Sequence, residues 1–121
     1  MFFDNLEQIP TIAQRASCAV FVVPPETKLD LPTALRLTPA DDKKASLITV
    51  EQVREFIALS SSKEVRDRYF IITPADAMNE AAQNAFLKTL EEPKPFCHFV
   101  LLTEQPSALL PTILSRSQVF S

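Results

Sequence analysis

The sequence predicts an α/β fold with a parallel sheet, and two observations lead to this prediction. Three continuous apolar runs, at residues 17–23, 69–73 and 96–103, are typical of strands that are buried on both faces. Amphipathic helical patterns follow Thr49 and Asn79, between these runs. Because strands that alternate with helices favour parallel pairing, we expect three layers, with a sheet of about five strands flanked by helices.

The first predicted strand should end at Pro24, since proline cannot donate a hydrogen bond to a ladder. The stretch 26–44 is rich in proline, aspartate and lysine, which predicts a loop with a short helical turn near 32–37. Thr49 then opens a helix, because Gln52 stands three residues later in a capping-box arrangement.

Asn79 is the expected N-cap of the next helix, and Pro93 stops that helix. Its apolar stripe repeats at helical spacing through Ala82, Phe86 and Leu90. A short helical segment at 109–114 and a terminal strand at 117–120 complete the alternation. Residues 1–121 are therefore predicted to form a single domain.

Charge and composition exclude several classes of function. The formal net charge of −3 gives no electrostatic footprint of a free-standing DNA-binding protein, and the segment 63–68 mixes both signs. No apolar run approaches the roughly 18–20 residues that span a bilayer, and the N-terminus lacks the features of a signal peptide. The chain is therefore expected to be cytoplasmic and to contact no membrane.

Two cysteines, Cys18 and Cys97, lie inside apolar runs and are interpreted as reduced core thiols. Because the sequence has neither a CxxC motif nor a Cys/His cluster, no metal site is predicted. His98 stands alone in an apolar run, which favours a hydrogen-bonded core histidine over a ligand. Phe2 and Phe3 are expected either to pack on the sheet or to form an exposed contact patch.

Three segments carry a resemblance to a known family: TVEQVREF at 49–56, DAMNEAAQNAFLKTLEEPKP at 76–95 and LLTEQPSALLPTILSRSQ at 101–118. Together they resemble the AAA+ ATPase-type domain of bacterial DNA polymerase III clamp-loader subunits, the gamma/tau/delta-prime family. The resemblance implies a P-loop NTPase-like fold. It also implies that a lid and a collar domain would follow, so the chain is expected to be a shortened piece or a naturally reduced subunit.

The place of the family's phosphate-binding loop is filled here by PPETK at 24–28. Two prolines remove two amide donors, the chain has no glycine to supply a positive φ, and Glu26 would repel a triphosphate. Thr27 and Lys28 are interpreted as surface residues, with remnants of a lost loop as the alternative. A degenerate nucleotide site and no bound cofactor are expected.

The resemblance also places magnesium-handling acids, Asp-Glu-Ala-Asp, where this chain has TPAD at 73–76. Thr73 is no carboxylate and Pro74 cannot act as a base, so hydrolysis is not expected. Asp76 keeps the motif's last position, and its preferred interpretation is an acidic cap before the following helix. Thr103 matches the family's polar γ-phosphate sensor, although a hydrogen bond within its own strand–loop turn is preferred.

The segment LPTILSRSQ at 110–118 resembles the family's Ser-Arg-Cys motif. Ser115 and Arg116 match it, and Ser117 replaces the cysteine. The resemblance implies that Arg116 reaches across a subunit interface to a neighbour's γ-phosphate. An arginine supplied in this way is worth about 10³–10⁵ in rate among GTPases. A structural salt bridge at the sheet edge is the alternative.

Glu91 and Glu92 close the second predicted helix, although the helix dipole disfavours acids at a C-terminus. Contact with Lys88 or with a neighbouring subunit would explain them, so all three are candidate interface residues. A surface ion pair between Lys88 and Glu92 is the equally weighted alternative.

Within the family, the resemblance favours the delta-prime type, which commonly has a defective nucleotide site and still offers its arginine. It implies a non-hydrolysing clamp-loader subunit of the DNA polymerase III holoenzyme. The implied partners are the gamma/tau ATPases and the delta subunit and, indirectly, the sliding clamp and primed DNA. Two alternatives stay open: a protein-interaction scaffold outside replication, and an active ATPase with an atypical site.

Overall fold

Five parallel strands form the central layer of the computed structural model, which describes residues 2–29, 31, 34–40, 47–61 and 65–121. The strands are β1 Cys18–Val22, β2 Ala34–Leu37, β3 Arg68–Ile72, β4 Cys97–Thr103 and β5 Gln118–Phe120. Their order across the sheet is β2-β3-β4-β1-β5, and each neighbouring pair is parallel. The predicted parallel α/β fold is confirmed.

The α-helices of the described residues are α1 Ile9–Gln14, α2 Val50–Leu59, α3 Glu80–Glu91 and α4 Pro111–Ser115. Both predicted N-caps are present. The Thr49 hydroxyl accepts the Gln52 amide at 3.3 Å, and Gln52 Oε1 accepts the Thr49 amide at 3.0 Å. Asn79 Oδ1 accepts the Ala82 amide at 2.8 Å. Local capping therefore fixes where α2 and α3 begin.

Some elements differ from the prediction. The helical turn expected near 32–37 is wrong, because Ala34–Leu37 pair in parallel with β3 as strand β2; residues 32 and 33 lie outside the described part of the chain. The last helix begins at Pro111 rather than at 109, since the fixed φ of proline suits a first helical turn. Helix α1 is not anticipated by the patterns discussed above.

Both faces of the sheet are covered, which gives the three predicted layers. On one face, Phe70 of β3 shares a buried cluster with Val53 of α2 and Phe86 of α3. On the other face, Phe21 of β1 shares a second buried cluster with Ile9 of α1. Because side chains alternate between the two faces of a strand, each central strand contributes to both clusters.

The N-terminal segment packs on the sheet through one of its two phenylalanines. The Phe3 ring lies 5.1 Å from that of Phe21 and 6.2 Å from that of Phe120, centroid to centroid. The Phe3 amide also donates to the Val22 carbonyl at 2.7 Å. Phe2, by contrast, is 46% exposed. Of the two interpretations proposed for this segment, packing on the sheet therefore holds for Phe3.

The connection from β1 to β2 crosses the second face of the sheet. Strands β3 and β4 stand on the way from β1 to β2, so the chain passes over both. Within residues 23–29 and 31, the described part of this connection, there is no helix. Leu29 and Leu31 are buried in the same cluster as Phe21. An irregular stretch, with no helix in its described residues, thus stands where a P-loop protein presents a helix N-terminus to phosphate.

Cys18 and Cys97 are both buried and unbridged, in agreement with their interpretation as core thiols. Burial raises the pKa of the Cys18 thiol to about 12, so this thiol stays protonated at neutral pH. Of the helices described, none combines the length and the apolar character that crossing a bilayer requires.

His98, the chain's only histidine, ties β4 to two other segments. Its Nδ1 lies 2.8 Å from the Ala16 carbonyl oxygen, and its Nε2 lies 2.7 Å from Asp67 Oδ1. Both partners are acceptors, so both bonds form when the ring carries two protons. The hydrogen bond from His98 holds the pKa of the Asp67 carboxyl below its ordinary value. The prediction of a hydrogen-bonded core histidine is confirmed.

Replacing Asp67 by Asn should lower the free energy of unfolding, because it removes a contribution that depends on an ionised carboxylate at residue 67. Because the folded-state pKa of Asp67 lies below 3.8, this contribution is fully present above about pH 4 and is lost as the pH falls through the lowered value. Urea unfolding between about pH 5 and pH 2 should show the wild-type midpoint approaching that of Asp67→Asn. The exposed Asp4→Asn serves as the control, and a gap that stays constant over this range would contradict the prediction.

Candidate functional site

The carboxyl ends of β1, β3 and β4 meet at one end of the sheet, where ligands of open α/β sheets bind. They enclose a small cavity of about 70 Å³. Its lining includes Pro24, Thr73, Pro74, Asp76 and Thr103. Sites for small molecules and cofactors usually measure about 300–1,000 Å³, several times the volume of this cavity.

A tight turn closes β1 where a phosphate-binding loop would lie. The Thr27 amide donates to the Pro24 carbonyl at 3.1 Å, and Pro25 takes the position of the turn that suits its fixed φ. The Val23 amide donates to the Thr103 carbonyl at 2.9 Å. Pro24 and Pro25 thus lack an amide hydrogen, and the amides of Val23 and Thr27 already donate to carbonyl groups. Glu26 is exposed at the tip of the turn.

Thr103 and Asp76, both predicted as site residues, are brought together. Thr103 is 1% exposed, and its hydroxyl donates to Asp76 Oδ1 at 2.6 Å while accepting the Gln105 amide at 3.0 Å. Asp76 lies in the 3₁₀ turn Ala75–Ala77. The interpretation of Asp76 as a helix cap is wrong, because Asn79 caps α3 and the Asp76 carboxylate binds Thr103.

Thr73 and Pro74 lie half-buried at the end of β3. The Thr73 amide donates to the Leu37 carbonyl at 3.0 Å, which extends the pairing of β3 with β2 by one bond. The Pro74 carbonyl accepts the Ala77 amide at 3.0 Å and closes the 3₁₀ turn. Neither side chain supplies a carboxylate that would hold a metal ion or polarise a water molecule.

Arg116 lies at the other end of the sheet. It caps the C-terminus of α4 and precedes β5, whose Gln118 pairs beside Ala19 near the start of β1. Strand β1 alone, five residues long, separates the two ends by about 13 Å. Arg116 therefore cannot reach the cavity of its own chain.

The side chain of Arg116 is exposed and weakly held. Its Nη1 donates to the Thr112 carbonyl at 3.4 Å, and Ser115 Oγ donates to the same carbonyl at 3.0 Å. Within the described ranges, no carboxylate lies within 4.0 Å of the guanidinium. The alternative of a structural salt bridge thus finds no partner in the part of the chain that the structure covers.

Ser117 anchors the backbone directly after Arg116. Its hydroxyl donates to the Ile113 carbonyl at 2.7 Å and lies 3.2 Å from Cys18 Sγ. Ile113 itself is fully buried. The exposed charge of Arg116 therefore lies between two anchored residues, the buried Ile113 and the hydrogen-bonded Ser117.

Gln83, which sequence reasoning missed, links α3 to the segment that carries Arg116. It is 5% exposed, and its Nε2 donates to the carbonyls of Met78 at 3.1 Å and Ala108 at 3.2 Å. Its Oε1 accepts the Leu110 amide at 2.7 Å. One signal was available, since Gln83 precedes Phe86 by three residues and so falls on the apolar stripe of α3.

Comparison with known proteins identifies the family. The family model described as "DNA polymerase III, delta subunit" matches residues 5–121 of the chain. The chain belongs to the DNA polymerase III delta-subunit family. Its domain is of the delta-prime clamp-loader type, as the resemblance in residues 49–118 predicts.

Relatives of this delta-family chain are DNA polymerase III delta-prime subunits. That of Haemophilus influenzae is 35% identical over 85 residues, which is 70% of this chain and 26% of the relative. That of Pseudomonas aeruginosa is 40% identical over 82 residues, 66% of this chain and 24% of the relative. The chain thus spans about a quarter of the length of these curated relatives.

A solved structure agrees with the fold of the delta-family chain. The gamma subunit-related protein of Thermotoga maritima, a DNA polymerase III protein, superposes with a TM-score of 0.66 at 26% sequence identity. The match covers 98% of this chain and 46% of that protein. The AAA+-type α/β fold expected from the resemblance is confirmed.

The candidate interface residues Lys88, Glu91 and Glu92 are exposed at the end of α3 in this delta-family domain. No ion pair joins Lys88 to Glu92, although both lie in the described residues. Lys88 instead lines a groove of about 490 Å³ between α2 and α3, together with Arg54. The predicted surface ion pair is therefore wrong, and an interface role for the three residues stays a prediction.

Replacing Thr103 by Val should lower the free energy of unfolding by about 1–3 kcal/mol, because a buried hydroxyl with two hydrogen bonds is lost and its partners stay unpaired. Urea unfolding measures this change. The matched control is Thr112→Val at an exposed position, where about 0.5 kcal/mol or less is expected. If Thr103→Val lowered the free energy of unfolding no more than Thr112→Val does, Thr103 would have no special structural role.

Proposed function

We propose that this domain is a non-hydrolysing, delta-prime-like part of a clamp loader of the DNA polymerase III holoenzyme. In this role Arg116 acts on ATP that is bound by a neighbouring subunit. One observation carries the proposal: Arg116 is an exposed arginine, without a carboxylate partner in the described residues, at the end of the sheet remote from the chain's own cavity.

The position of Arg116 suits action in trans. Since about 13 Å of sheet separates it from the carboxyl ends of the strands, any nucleotide that it touches belongs to another subunit. The fixed neighbours Ile113 and Ser117 limit the motion of its backbone. An exposed guanidinium on a rigid base can enter a partner's site with little loss of conformational entropy.

The chemistry of the guanidinium suits this task. Its planar fork of N–H donors matches the geometry of phosphate oxygens and stays charged at every physiological pH. In phosphoryl transfer, negative charge spreads over the oxygens of the transferred group, and a positioned arginine stabilises that charge. Arg116 needs no catalytic base in its own chain for this purpose.

Four features at and near the cavity support the absence of hydrolysis in this subunit. The cavity volume of about 70 Å³ is small for a nucleotide, and Pro24 and Pro25 supply no amide donors. Asp76, the acid that remains of the family's motif, is engaged by Thr103. The irregular crossing after β1 presents no helix N-terminus in its described residues.

The proposed partners follow from membership in the delta-subunit family. The neighbours that bind ATP would be gamma/tau-type ATPase subunits, and the delta subunit would complete the assembly. The sliding clamp and primed DNA would be reached indirectly, since the net charge of −3 offers no strong attraction to DNA. The cytoplasm is the compartment proposed for this assembly.

We expect the chain alone to bind Mg-ATP with a Kd weaker than about 1 mM, because the cavity is small and offers few amide donors. Isothermal titration calorimetry tests this directly. Saturable binding in the micromolar range would instead favour the atypical ATPase.

Replacing Arg116 by Ala should slow ATP turnover at the adjoining site by at least about 10²-fold in a loader reconstituted with gamma/tau and delta subunits of the same host. The KM for ATP should change little, since the arginine acts on charge that develops in the transition state. Single-turnover hydrolysis of radiolabelled ATP measures the rate. Arg116→Lys keeps the positive charge but loses the planar fork of N–H donors. Its turnover rate should lie between the rates of the wild type and Arg116→Ala.

Arg15→Ala is the matched control, because it removes the same charge from an exposed arginine at the end of α1. It should leave turnover unchanged. Equal rates for wild type and Arg116→Ala would reject the role of Arg116. If the chain failed to assemble with gamma/tau and delta subunits at all, the scaffold outside replication would become the better explanation.

A further inference from the structure

We propose that Ser115 is a positioning residue for Arg116. Its hydroxyl donates to the Thr112 carbonyl, to which the guanidinium of Arg116 also donates. By taking this carbonyl, Ser115 weakens the hold of α4 on the guanidinium and keeps that group available to a neighbour's phosphate. This inference rests on the function proposed above for Arg116.

The Thr112 carbonyl lacks the amide donor that a continued α-helix would give it. In such a helix the Arg116 amide would donate to it, but this amide donates to the Ile113 carbonyl at 3.1 Å instead. Two side chains take the place of the amide: Ser115 Oγ at 3.0 Å and Arg116 Nη1 at 3.4 Å. The end of α4 therefore offers one carbonyl to two side-chain donors.

On its own, this carbonyl would hold the Arg116 side chain close to α4. The last carbonyls of a helix carry partial negative charge, which attracts arginine side chains at that end. A hydrogen bond from a guanidinium is also charge-assisted, and therefore stronger than one between neutral groups. An arginine bound in this way directs its donors at Thr112 and away from another subunit. Capping of α4 by Arg116 thus competes with its proposed role in trans.

Ser115 shifts this competition towards a free guanidinium. A hydroxyl at the end of a helix reaches the carbonyl three residues earlier without any change of the backbone. The Arg116 bond of 3.4 Å is longer than the usual N–H···O range of about 2.7–3.2 Å, whereas the Ser115 hydroxyl lies closer to the same oxygen. When the guanidinium leaves, Ser115 still donates to Thr112. Release of Arg116 therefore costs less with a serine at residue 115 than with an alanine.

A purely structural role for Ser115 makes a different prediction from a positioning role. If the hydroxyl only closed the last turn of α4, its loss would change the free energy of unfolding and leave turnover unaltered, or would affect turnover whether or not Arg116 is present. If it acts through Arg116, its effect on turnover disappears once the arginine is gone. A double-mutant cycle separates these possibilities.

The experiment uses the reconstituted loader with five versions of this chain: Ser115→Ala, Ser115→Thr, Arg116→Ala, Ser115→Ala combined with Arg116→Ala, and Ser61→Ala. Ser115→Thr keeps the hydroxyl. Ser61→Ala is the matched control, because Ser61 is likewise an exposed serine after a helix, and its hydroxyl accepts a hydrogen bond from Lys94 Nζ at 3.0 Å. Single-turnover hydrolysis of radiolabelled ATP measures the rate, and urea unfolding confirms that each variant is folded.

We expect Ser115→Ala to lower turnover at the adjoining site by about 2- to 5-fold, which corresponds to one modest hydrogen bond. The KM for ATP should stay within about twofold, since the substitution changes the position of the arginine and leaves ATP binding as it is. Ser115→Thr and Ser61→Ala should match the wild type. The double variant should be no slower than Arg116→Ala alone.

The outcomes separate the two proposals. If Arg116→Ala is slow but Ser115→Ala is as fast as the wild type or faster, the role of Ser115 is rejected and that of Arg116 stands. A loss of the same size in Ser115→Thr, or an equal loss from Ser115→Ala with and without Arg116, would also reject it. If Arg116→Ala matches the wild type, the function proposed for Arg116 fails, and this inference fails with it.

Discussion

The parallel pairing of β1 with β4 is the contact on which the rest of the structure depends. Its register sets Cys18 beside Phe99 at one end and Val22 beside Thr103 at the other. At the carboxyl end, this pairing brings the turn at Pro24 next to the bond between Thr103 and Asp76. At the amino end, β1 receives β5 and with it the segment of Arg116. One strand pair therefore determines the positions of both the small cavity and the remote arginine.

The two ends of the sheet differ in how their polar side chains are placed. At the carboxyl end, Thr103 and Asp76 are bonded to each other, and prolines stand where amides would be needed. At the amino end, a charged side chain is exposed on a base that is fixed by Ile113, Ser117 and Gln83. Such a division makes sense in an assembly, where one subunit's site is completed by the next.

Sequence patterns predicted the elements that depend on interactions between residues close together in the chain. The capping pair of Thr49 and Gln52, the cap at Asn79 and the apolar runs of β1, β3 and β4 all act within a few residues, so their pattern is visible in the chain. Strand β2 could not be found in this way, because its four residues, of which only Leu37 is buried, become a strand only by pairing with β3 at the edge of the sheet. The bonds of Asp76 to Thr103 and of Gln83 to Leu110 each span 27 residues. They depend on the packed sheet and leave no local trace, although the place of Gln83 on the stripe of α3 hinted at its burial.

The contact of Ser117 with Cys18 has a consequence for redox chemistry. A cysteine at residue 117, as in the Ser-Arg-Cys motif, would place a second thiol beside Cys18, where oxidants could join residue 117 to β1. With a serine there, no such bond can form. The remaining thiol reacts as a thiolate, and burial raises its pKa to about 12, so little thiolate forms at neutral pH. The arginine-bearing segment therefore keeps the same covalent structure whether its surroundings are reducing or oxidising.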